Sequence, residues 1–266
     1  MDYFESITLG IVQGLTEFLP ISSSGHLEIS KAILGNDFSN KESLLFTIVL
    51  HFATALSTIV FFRKDISQII LGLFDKNDKE SFKFSISIII SMIPAVLIGL
   101  FFEETINSFF NGNLILVAAM LYVTALLLYL SDVIKLDSKE ISYKNSFIIG
   151  LAQAIAILPG ISRSGATIAT AVVIGIDREK AARFSFIMVI PLIFGSMAKS
   201  IIDNGIVFEN FDLFSVSLGF ISAFITGLIA CKWMISLVKK SKLYYFSIYC
   251  CIVGSIIIYY SLKNGI

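Results

Sequence analysis

An acid, three serines, a glycine and a histidine occupy ten consecutive positions near the start of the chain, in the segment EFLPISSSGH at 17–26. Pro20 ends any helix that precedes it, so the serines fall where a new helix begins. The first N–H groups of a helix have no intrahelical partner and favour anions. Glu17, Ser23 and His26 add the groups of acid–base and nucleophilic catalysis. The segment therefore predicts a site that binds an anion and acts on it chemically.

A second segment, LPGISRSGAT at 158–167, repeats the break and the serines, but it places an arginine at the position that corresponds to Ser23. Arg163 is the only Arg or Lys in the two segments. Arginine is suited to bidentate contact with phosphate, and two helix N-termini with several hydroxyls describe a phosphate cradle. The predicted catalytic residues are Glu17, Ser23, His26 and Arg163. The predicted binding residues are other polar or small side chains of the two breaks and the helix before the first: Gln13, Ser22, Ser24, Gly25, Ser162, Ser164, Gly165 and Thr167.

A structural explanation is also open for several of these residues. Ser22 and Ser162 can serve only as N-caps of their helices. Glu17 and Arg163 can form a buried ion pair, and His26 can be a packed side chain. His51 lies inside an apolar run and is assigned a hydrogen-bonded structural role. Because a charge at membrane depth is costly and usually functional, the pattern favours a site.

The composition indicates the setting of these segments. The 266-residue chain is 56% hydrophobic and 15% charged, whereas soluble domains carry about 25% charged residues. Its net charge of zero gives no indication of a nucleic-acid partner. The sequence predicts an all-α integral membrane protein with a single domain over 1–266. Six apolar runs are long enough to cross a bilayer, at approximately 44–62, 84–102, 113–131, 184–202, 213–231 and 243–262.

Two further apolar regions, 5–35 and 145–176, are interrupted by polar, Gly and Pro residues. Each is interpreted as a re-entrant pair of short helices, which with six spans makes ten helices. Lys and Arg are concentrated in four connections and absent from two others: 63–83, 132–144, 177–183 and 232–242 against 103–112 and 203–212. Because cytoplasmic loops collect Lys and Arg, this pattern predicts that both termini lie outside.

A constant shift of 140 residues aligns the chain with itself. The segment GIVQGLTEFLPISSSG at 10–25 lies over GLAQAIAILPGISRSG at 150–165, with identities at Gly, Gln and Ser positions. The chain is therefore interpreted as two repeats of approximately 1–140 and 141–266. Each repeat holds one re-entrant pair and three spans, and since three is odd, the second repeat is inverted. Inverted repeats with broken helices place their functional site near the bilayer midplane.

The motifs QGLTEFLPISSSGH and LPGISRSGATI resemble those of the undecaprenyl-pyrophosphate phosphatase family, the bacitracin-resistance proteins of bacteria. The resemblance covers essentially the whole chain. It implies hydrolysis of undecaprenyl pyrophosphate to undecaprenyl phosphate and inorganic phosphate, with a divalent cation, Mg or Ca, as cofactor. It also implies a bacterial inner-membrane location, an active site open to the extracytoplasmic side, and bacitracin as a competitor for the lipid substrate. A homodimer is compatible with it.

Phosphoryl transfer depends mainly on positioning and charge neutralisation. On this interpretation Arg163, the serines and both helix N-termini bind the diphosphate, and Glu17 is the metal ligand. The family motif begins with Glu or Gln, and here it begins with Gln13, so Glu17 is its only acid. Two routes stay open: Ser23 attacks after His26 takes its proton, or His26 or Glu17 activates a water. A flippase for undecaprenyl phosphate is the alternative function, because inverted repeats and broken helices are also transporter features.

Overall fold

The computed structural model describes residues 2–34, 40–109, 113–134, 139–204, 212–240 and 242–264, and its regular elements there are all helices. At 40–44, 103, 107, 203–204 and 264 only the backbone is described. Twelve helices follow one another over these ranges: α1 (Tyr3–Phe18), α2 (Ser23–Leu34), α3 (Asn40–Phe61), α4 (Arg63–Phe74), α5 (Lys79–Phe101), α6 (Glu103–Phe109), α7 (Leu114–Val133), α8 (Tyr143–Ile155), α9 (Arg163–Val173), α10 (Arg178–Asn204), α11 (Leu213–Lys239) and α12 (Tyr244–Asn264).

The prediction of an all-helical chain is confirmed, and the predicted count of ten helices is corrected to twelve for the described residues. The two additional helices are α4 and α6. The sequence of α4 opens with three charged residues, so its apolar stretch is too short to stand out as a span. The seven residues of α6 cover only two turns, which is too short for a periodic pattern.

Most of the predicted spans are helices of membrane-crossing length and apolarity. Five meet both criteria: Lys79–Phe101, Leu114–Val133, Arg178–Ile202, Leu213–Lys239 and Tyr244–Lys263. The number reaches six when Leu45–Phe61 and Arg63–Phe74 are taken together, although these two segments are bent by 76° at their junction. The chain is therefore a multi-pass membrane protein by the length and composition of its helices.

The interrupted regions form four short helices, as the sequence predicts. The longest of them, α1, has 16 residues, or about 24 Å at 1.5 Å per residue, against roughly 30 Å of bilayer hydrocarbon. The chain leaves α1 just before Pro20, and it leaves α8 just before a break that contains Pro159 and Gly160. Gly160 has φ of +97°, and a Cβ there would meet the backbone of Val117 on α7. A glycine is needed at this turn because both the dihedral angle and the close contact exclude a side chain.

The short helices are held by small residues that let backbones approach closely. Helix α1 packs against α11, and α8 packs against α5. A Cβ on Gly14 of α1 would lie 2.5 Å from the carbonyl oxygen of Ala223 and would also overlap the Thr226 hydroxyl on α11. Gly150 of α8 faces the backbone of Ser91 on α5 in the same way. Such contacts are the usual basis of helix association in membranes.

We predict that Gly14→Ala destabilises the protein by about 1–3 kcal/mol, because the added methyl group forces α1 away from α11. The measurement is the melting temperature of purified protein in detergent. The matched control is Gly99→Ala on α5, since a Cβ at Gly99 meets nothing within 4 Å. Equal melting of the two variants would contradict the close packing of α1 on α11.

Candidate active site

The two polar breaks of the chain meet each other inside the protein. Gly25, in the first turn of α2, lies so close to the second break that a Cβ there would be 3.3 Å from Cα of Gly160. A Cβ on Gly165, in the first turn of α9, would be 3.2 Å from Cβ of Pro20. The hydroxyl of Ser164 donates to the carbonyl oxygen of Leu19 at 3.4 Å. The N-termini of α2 and α9 are therefore neighbours.

Both helices begin with the same arrangement of serines. The Ser22 hydroxyl accepts from the N–H of Gly25 at 3.2 Å, and the Ser162 hydroxyl accepts from the N–H of Gly165 at 3.1 Å. Each cap hydroxyl also contacts the serine two residues later, Ser24 at 3.4 Å and Ser164 at 3.3 Å. Ser22 and Ser162 thus act as N-caps, and the orientation of both caps leaves the first-turn N–H groups at the junction of the two breaks.

Ser22 has an unusual backbone conformation. Its φ of +71° makes it the one non-glycine residue with positive φ in the described part of the chain. This left-handed conformation costs on the order of 1–3 kcal/mol and persists where surrounding contacts hold it. Here the Ser22 carbonyl accepts from the N–H of His26 at 3.1 Å and from its Nδ1 at 2.8 Å. The strained turn immediately precedes Ser23, the first residue of α2.

Glu17, near the end of α1, joins the two breaks electrostatically. Its Oε1 accepts from Nη2 of Arg163 at 2.5 Å. Its Oε2 accepts from the Ser23 hydroxyl at 2.8 Å and from Nε2 of Gln13 at 3.0 Å. Glu17 is only 8% exposed, so the carboxylate is stabilised by these donors rather than by water. Three of the four predicted catalytic residues therefore form one hydrogen-bonded cluster, together with Gln13.

Two residues of α3 and α10 complete this cluster. Nε2 of His51 lies 3.8 Å from Oε2 of Glu17. The Ser185 carbonyl accepts from Nη1 of Arg163 at 3.3 Å, and the Ser185 hydroxyl lies 2.6 Å from Oγ1 of Thr167. A guanidinium has five N–H donors, which is more than its contacts with Glu17 and Ser185 use. Arg163 is therefore fixed in place and still able to bind an anion.

His26 points away from this cluster and contacts α12. A carbonyl oxygen only accepts, so Nδ1 of His26 carries the proton that it shares with Ser22. In the neutral ring, Nε2 then accepts from the Tyr249 hydroxyl at 2.9 Å. The two rings are stacked with centroids 5.7 Å apart. The predicted contact between His26 and Ser23 is therefore wrong. Both ring nitrogens of His26 have other partners, and the Ser23 hydroxyl donates to Glu17.

Tyr249→Phe should lower turnover by roughly 3- to 10-fold, because it removes the one hydroxyl bonded to Nε2 of His26 and keeps the stacked ring. The measurement is the initial rate of phosphate release from a lipid diphosphate. Tyr122→Phe is the matched control, since it removes another hydroxyl that links α7 and α12, through Ser255 at 2.7 Å. Equal rates in the two variants would show that the contact of Tyr249 with His26 has no part in the reaction.

The donor set of the cluster fits a divalent cation only together with substrate oxygens. Within the described ranges no three His, Cys, Asp or Glu side chains are grouped so that they could hold a metal ion alone. Gln13 is fully buried beside Glu17, and its Oε1 has no hydrogen-bond partner among the described residues. An unsatisfied buried oxygen next to a carboxylate suits Mg²⁺ or Ca²⁺, which prefer oxygen ligands and are often bound through one or two carboxylates plus phosphates.

Sequence reasoning assigned no role in the site to three residues that contact it: His51, Ser185 and Tyr249. His51 carried a signal, because it is one of only two histidines in the chain and lies within an apolar span. Ser185 and Tyr249 carried none. Tyr249 is separated from His26 by 223 positions, and nothing local distinguishes it from the other tyrosines of α12.

Comparison with known proteins shows the family of the chain. A family model described as bacitracin resistance protein BacA matches residues 6–256. An undecaprenyl-diphosphatase of Christiangramia forsetii is 59% identical over 96% of this chain and 96% of its own length. Proteins of the same name from Bacteroides fragilis and Halothermothrix orenii are 48% and 40% identical, each over 97% of this chain and 98% of their own length. The matches extend over both polar segments and nearly all of the helices.

Proposed function

The chain belongs to the BacA family of bacitracin resistance proteins, and from this premise we propose that it is an undecaprenyl-diphosphatase. It hydrolyses undecaprenyl pyrophosphate to undecaprenyl phosphate and inorganic phosphate. The product is the lipid carrier of cell-wall precursors, so the enzyme returns that carrier to use. Bacitracin competes for the same diphosphate lipid. The protein is a multi-pass protein of the cell membrane.

One observation carries the chemical part of the proposal: Glu17 holds the hydroxyl of Ser23 and the guanidinium of Arg163 at the same time. The acid thus connects a nucleophile on the first break with a phosphate-binding cation on the second. A structural ion pair would not require a serine hydroxyl at 2.8 Å from the same carboxylate. The arrangement instead matches a nucleophile within reach of its base.

The terminal phosphate binds to Arg163 and to the N–H groups at the starts of α2 and α9. A phosphate oxygen that takes over the contact with Arg163 leaves Glu17 able to accept the proton of Ser23. The Ser23 oxygen forms a bond to the terminal phosphorus while the bond from that phosphorus to the bridging oxygen breaks, which releases undecaprenyl phosphate. Water then hydrolyses the phosphoserine to serine and inorganic phosphate.

A second route dispenses with the covalent intermediate. Glu17 takes a proton from a water molecule, and that water attacks the terminal phosphorus directly while the bond from the phosphorus to the bridging oxygen breaks, which releases undecaprenyl phosphate. His51 can support either route through its position 3.8 Å from Glu17. His26 lies on the other side of the break, where its Nε2 accepts from the Tyr249 hydroxyl. A divalent cation bound by Glu17 and the free oxygen of Gln13 would supply charge neutralisation on the phosphate oxygens.

The architecture around the site is proposed to be an inverted repeat of two re-entrant pairs and six spans. Helix α1 packs against α11, and α8 packs against α5, which are corresponding pairs under the shift of 140 residues. The serine contacts at the starts of α2 and α9 also correspond one to one. These two sets of corresponding contacts support a pseudo-twofold relation between residues 1–140 and 141–266, with the site between the repeats.

The site is proposed to open to the extracytoplasmic side, with both termini outside. This topology requires α3 and α11 to run parallel, and α7 and α12 to run antiparallel. Gly219 lies against the ring of Phe46, and farther along both helices Ser57 donates to the carbonyl of Phe224 at 2.8 Å, so α3 and α11 are parallel. Tyr122 contacts Ser255 while Ser247 donates to Ala125, so α7 and α12 are antiparallel. Both relations support the alternation of the spans, and the distribution of Lys and Arg assigns the termini to the outside.

The function is tested by phosphate release from undecaprenyl pyrophosphate by purified protein in detergent, with and without EDTA. Detergent removes the two-sided membrane that a flippase needs, so release of phosphate there supports the enzyme. Loss of release in EDTA and its return with Mg²⁺ or Ca²⁺ support the cation. Reorientation of undecaprenyl phosphate in vesicles without any phosphate release would support the flippase instead.

The two chemical routes make different predictions for Ser23. If Ser23 is the nucleophile, Ser23→Ala loses at least about 10³-fold in turnover, and acid quenching of wild-type protein with labelled substrate traps a phosphate on Ser23. Ser217→Ala on α11 is the matched control, because its hydroxyl donates to a carbonyl of its own helix, that of Leu213. Full activity in Ser23→Ala would rule out the covalent route and leave the activated water.

A further inference from the structure

The chain turns sharply where α3 ends. Helix α3 has 22 residues, and its apolar part, Leu45–Phe61, is about 26 Å long, so that α3 nearly crosses a hydrocarbon layer of roughly 30 Å. Helix α4 follows at 76° to it, so α4 lies nearly parallel to the membrane plane. Its first turn carries Arg63 and Lys64, and its later turns expose four large apolar side chains: Ile70, Leu71, Leu73 and Phe74. This distribution is that of an amphipathic helix in the membrane interface.

A cavity of about 300 Å³ lies at the corner between α3, α4 and α11. Three cations line it, and we call them the basic corner: Arg63, Lys64 and Lys232. The rest of its lining is mainly apolar, from Val60, Phe61 and Leu228. A cluster of cations above an apolar wall at the end of a membrane span matches the two parts of a phospholipid, a charged head group and acyl chains.

The cations of the basic corner have no acidic partners among the described residues, whereas several other cations on this side of the protein do. Arg178 pairs with Asp132 at 2.6 Å, Lys239 pairs with Glu179 at 2.8 Å, and Lys180 pairs with Glu140. The one carboxylate that lines the cavity, Asp65, is bound by Arg183 at 2.7 Å. The corner therefore has a net positive charge that the described side chains leave uncompensated.

A second cavity next to α4 is less suited to an anion than the basic corner. It is larger, about 730 Å³, and shares Arg63 and Lys64 with the first cavity. It is also lined by Asp75 and Asp78, which repel an anion. The smaller cavity adds Lys232 and an apolar wall in their place.

We propose that the basic corner binds the phosphate of an anionic glycerophospholipid of the cytoplasmic leaflet. The segment 63–83, which contains α4, is rich in Lys and Arg and is therefore assigned to the cytoplasmic side. Basic pockets between helices on that side are suited to anionic head groups. The lipid phosphate contacts Arg63, Lys64 and Lys232, and an acyl chain lies along Val60 and Leu228. No residue of this corner belongs to the Glu17–Arg163 cluster, so the site is distinct from the hydrolytic one.

The test is a lipid titration of the purified full-length protein, followed by native mass spectrometry, with phosphatidylglycerol as the probe and phosphatidylcholine as the zwitterionic comparison. Wild type is expected to bind phosphatidylglycerol at least about tenfold more tightly. The triple variant Arg63→Gln/Lys64→Gln/Lys232→Gln is expected to lose roughly 100-fold in that affinity, at about fivefold per cation. Lys232→Gln alone, on α11, should lose about fivefold.

The matched control is Lys76→Gln/Lys79→Gln/Lys83→Gln, which removes the same number of positive charges from the connection that holds Arg63 and Lys64, but from residues outside the cavity. It is expected to lose less than about threefold. Equal losses in both triple variants, no preference for phosphatidylglycerol in wild type, or tighter binding of undecaprenyl phosphate at this corner would each overturn the proposal. Phosphate release in detergent should be unchanged in the basic-corner triple variant, which separates this site from the proposed enzymatic function.

Discussion

Arg163→Ala is expected to lower phosphate release by roughly 10³-fold or more. Removal of a single preorganised charge donor from a phosphoryl-transfer site typically costs 10²- to 10⁵-fold, and Arg163 is the only Arg or Lys in the two polar segments. The variant also leaves Glu17 without the guanidinium that now lies 2.5 Å from it. The measurement is turnover of undecaprenyl pyrophosphate in detergent, at substrate concentrations that separate kcat from KM.

A loss of stability could imitate this effect, and the structure offers a close control. Arg178 has the same kind of surroundings as Arg163: one bond to a carboxylate, Asp132 at 2.6 Å, and one to a backbone carbonyl, Ser131 at 2.9 Å. Breaking either buried pair is expected to destabilise the protein by about 3–5 kcal/mol. Arg178→Ala should keep its turnover within about threefold for the folded fraction. Arg163→Lys should recover part of the rate, because it restores charge without the bidentate fork. Near-normal turnover in Arg163→Ala would refute the phosphate cradle.

Glu17→Gln is expected to reduce turnover by about 10³-fold and to abolish stimulation by divalent cations. The substitution keeps the shape of the side chain but removes its charge, so it can neither accept the proton of Ser23 nor bind a cation strongly. The measurement is a titration of EDTA-treated protein with Mg²⁺ and Ca²⁺. A response of normal amplitude in the variant would contradict the role of Glu17 as a metal ligand, and a normal rate would contradict its role as a base.

Asp132→Asn is the control for this variant, because it neutralises the carboxylate of the other partly buried Arg pair without touching the cluster. It should melt at a lower temperature and respond to cations as wild type does. Gln13→Leu provides a second comparison. It removes the buried Oε1 that has no partner, so the cation concentration for half-maximal rate should rise by roughly tenfold while some activity remains. An unchanged requirement for cation would show that Glu17 acts without Gln13.

The sequence predicted the spans well because a span is defined by a local property, the length of an apolar run. It predicted their ends less well. Helix α11 continues to Lys239, beyond the predicted end at 231. Hydropathy marks only where the apolar run ends, whereas the backbone hydrogen bonds of the helix continue past that point. Helix α4 was missed for a related reason, because its charged first turn resembles a loop.

The candidate site was only partly predictable. Pro20, Pro159 and the serine caps are local signals, and they correctly located both breaks. The contact between Glu17 and Arg163 spans 146 positions, and sequence spacing gives no distance between residues on separate helices. The contact of His26 with Tyr249 was not predictable either. The Ser22 carbonyl fixes the orientation of the His26 ring, and Tyr249 lies on the last helix.

The pairing of α1 with α11 joins the first helix of the chain to one that is made much later. Helix α1 leaves the ribosome roughly two hundred residues before its main packing partner, an interval on the order of 10–40 s at about 5–20 residues per second. Throughout that time Gly10 and Gly14 have no helix to meet. A nascent chain that has just passed α10 already contains Glu17, Ser23, His26 and Arg163, and yet α1 still lacks its main packing partner. Completion of the site is therefore a late step of biogenesis, and it is α11 rather than any catalytic residue that triggers it.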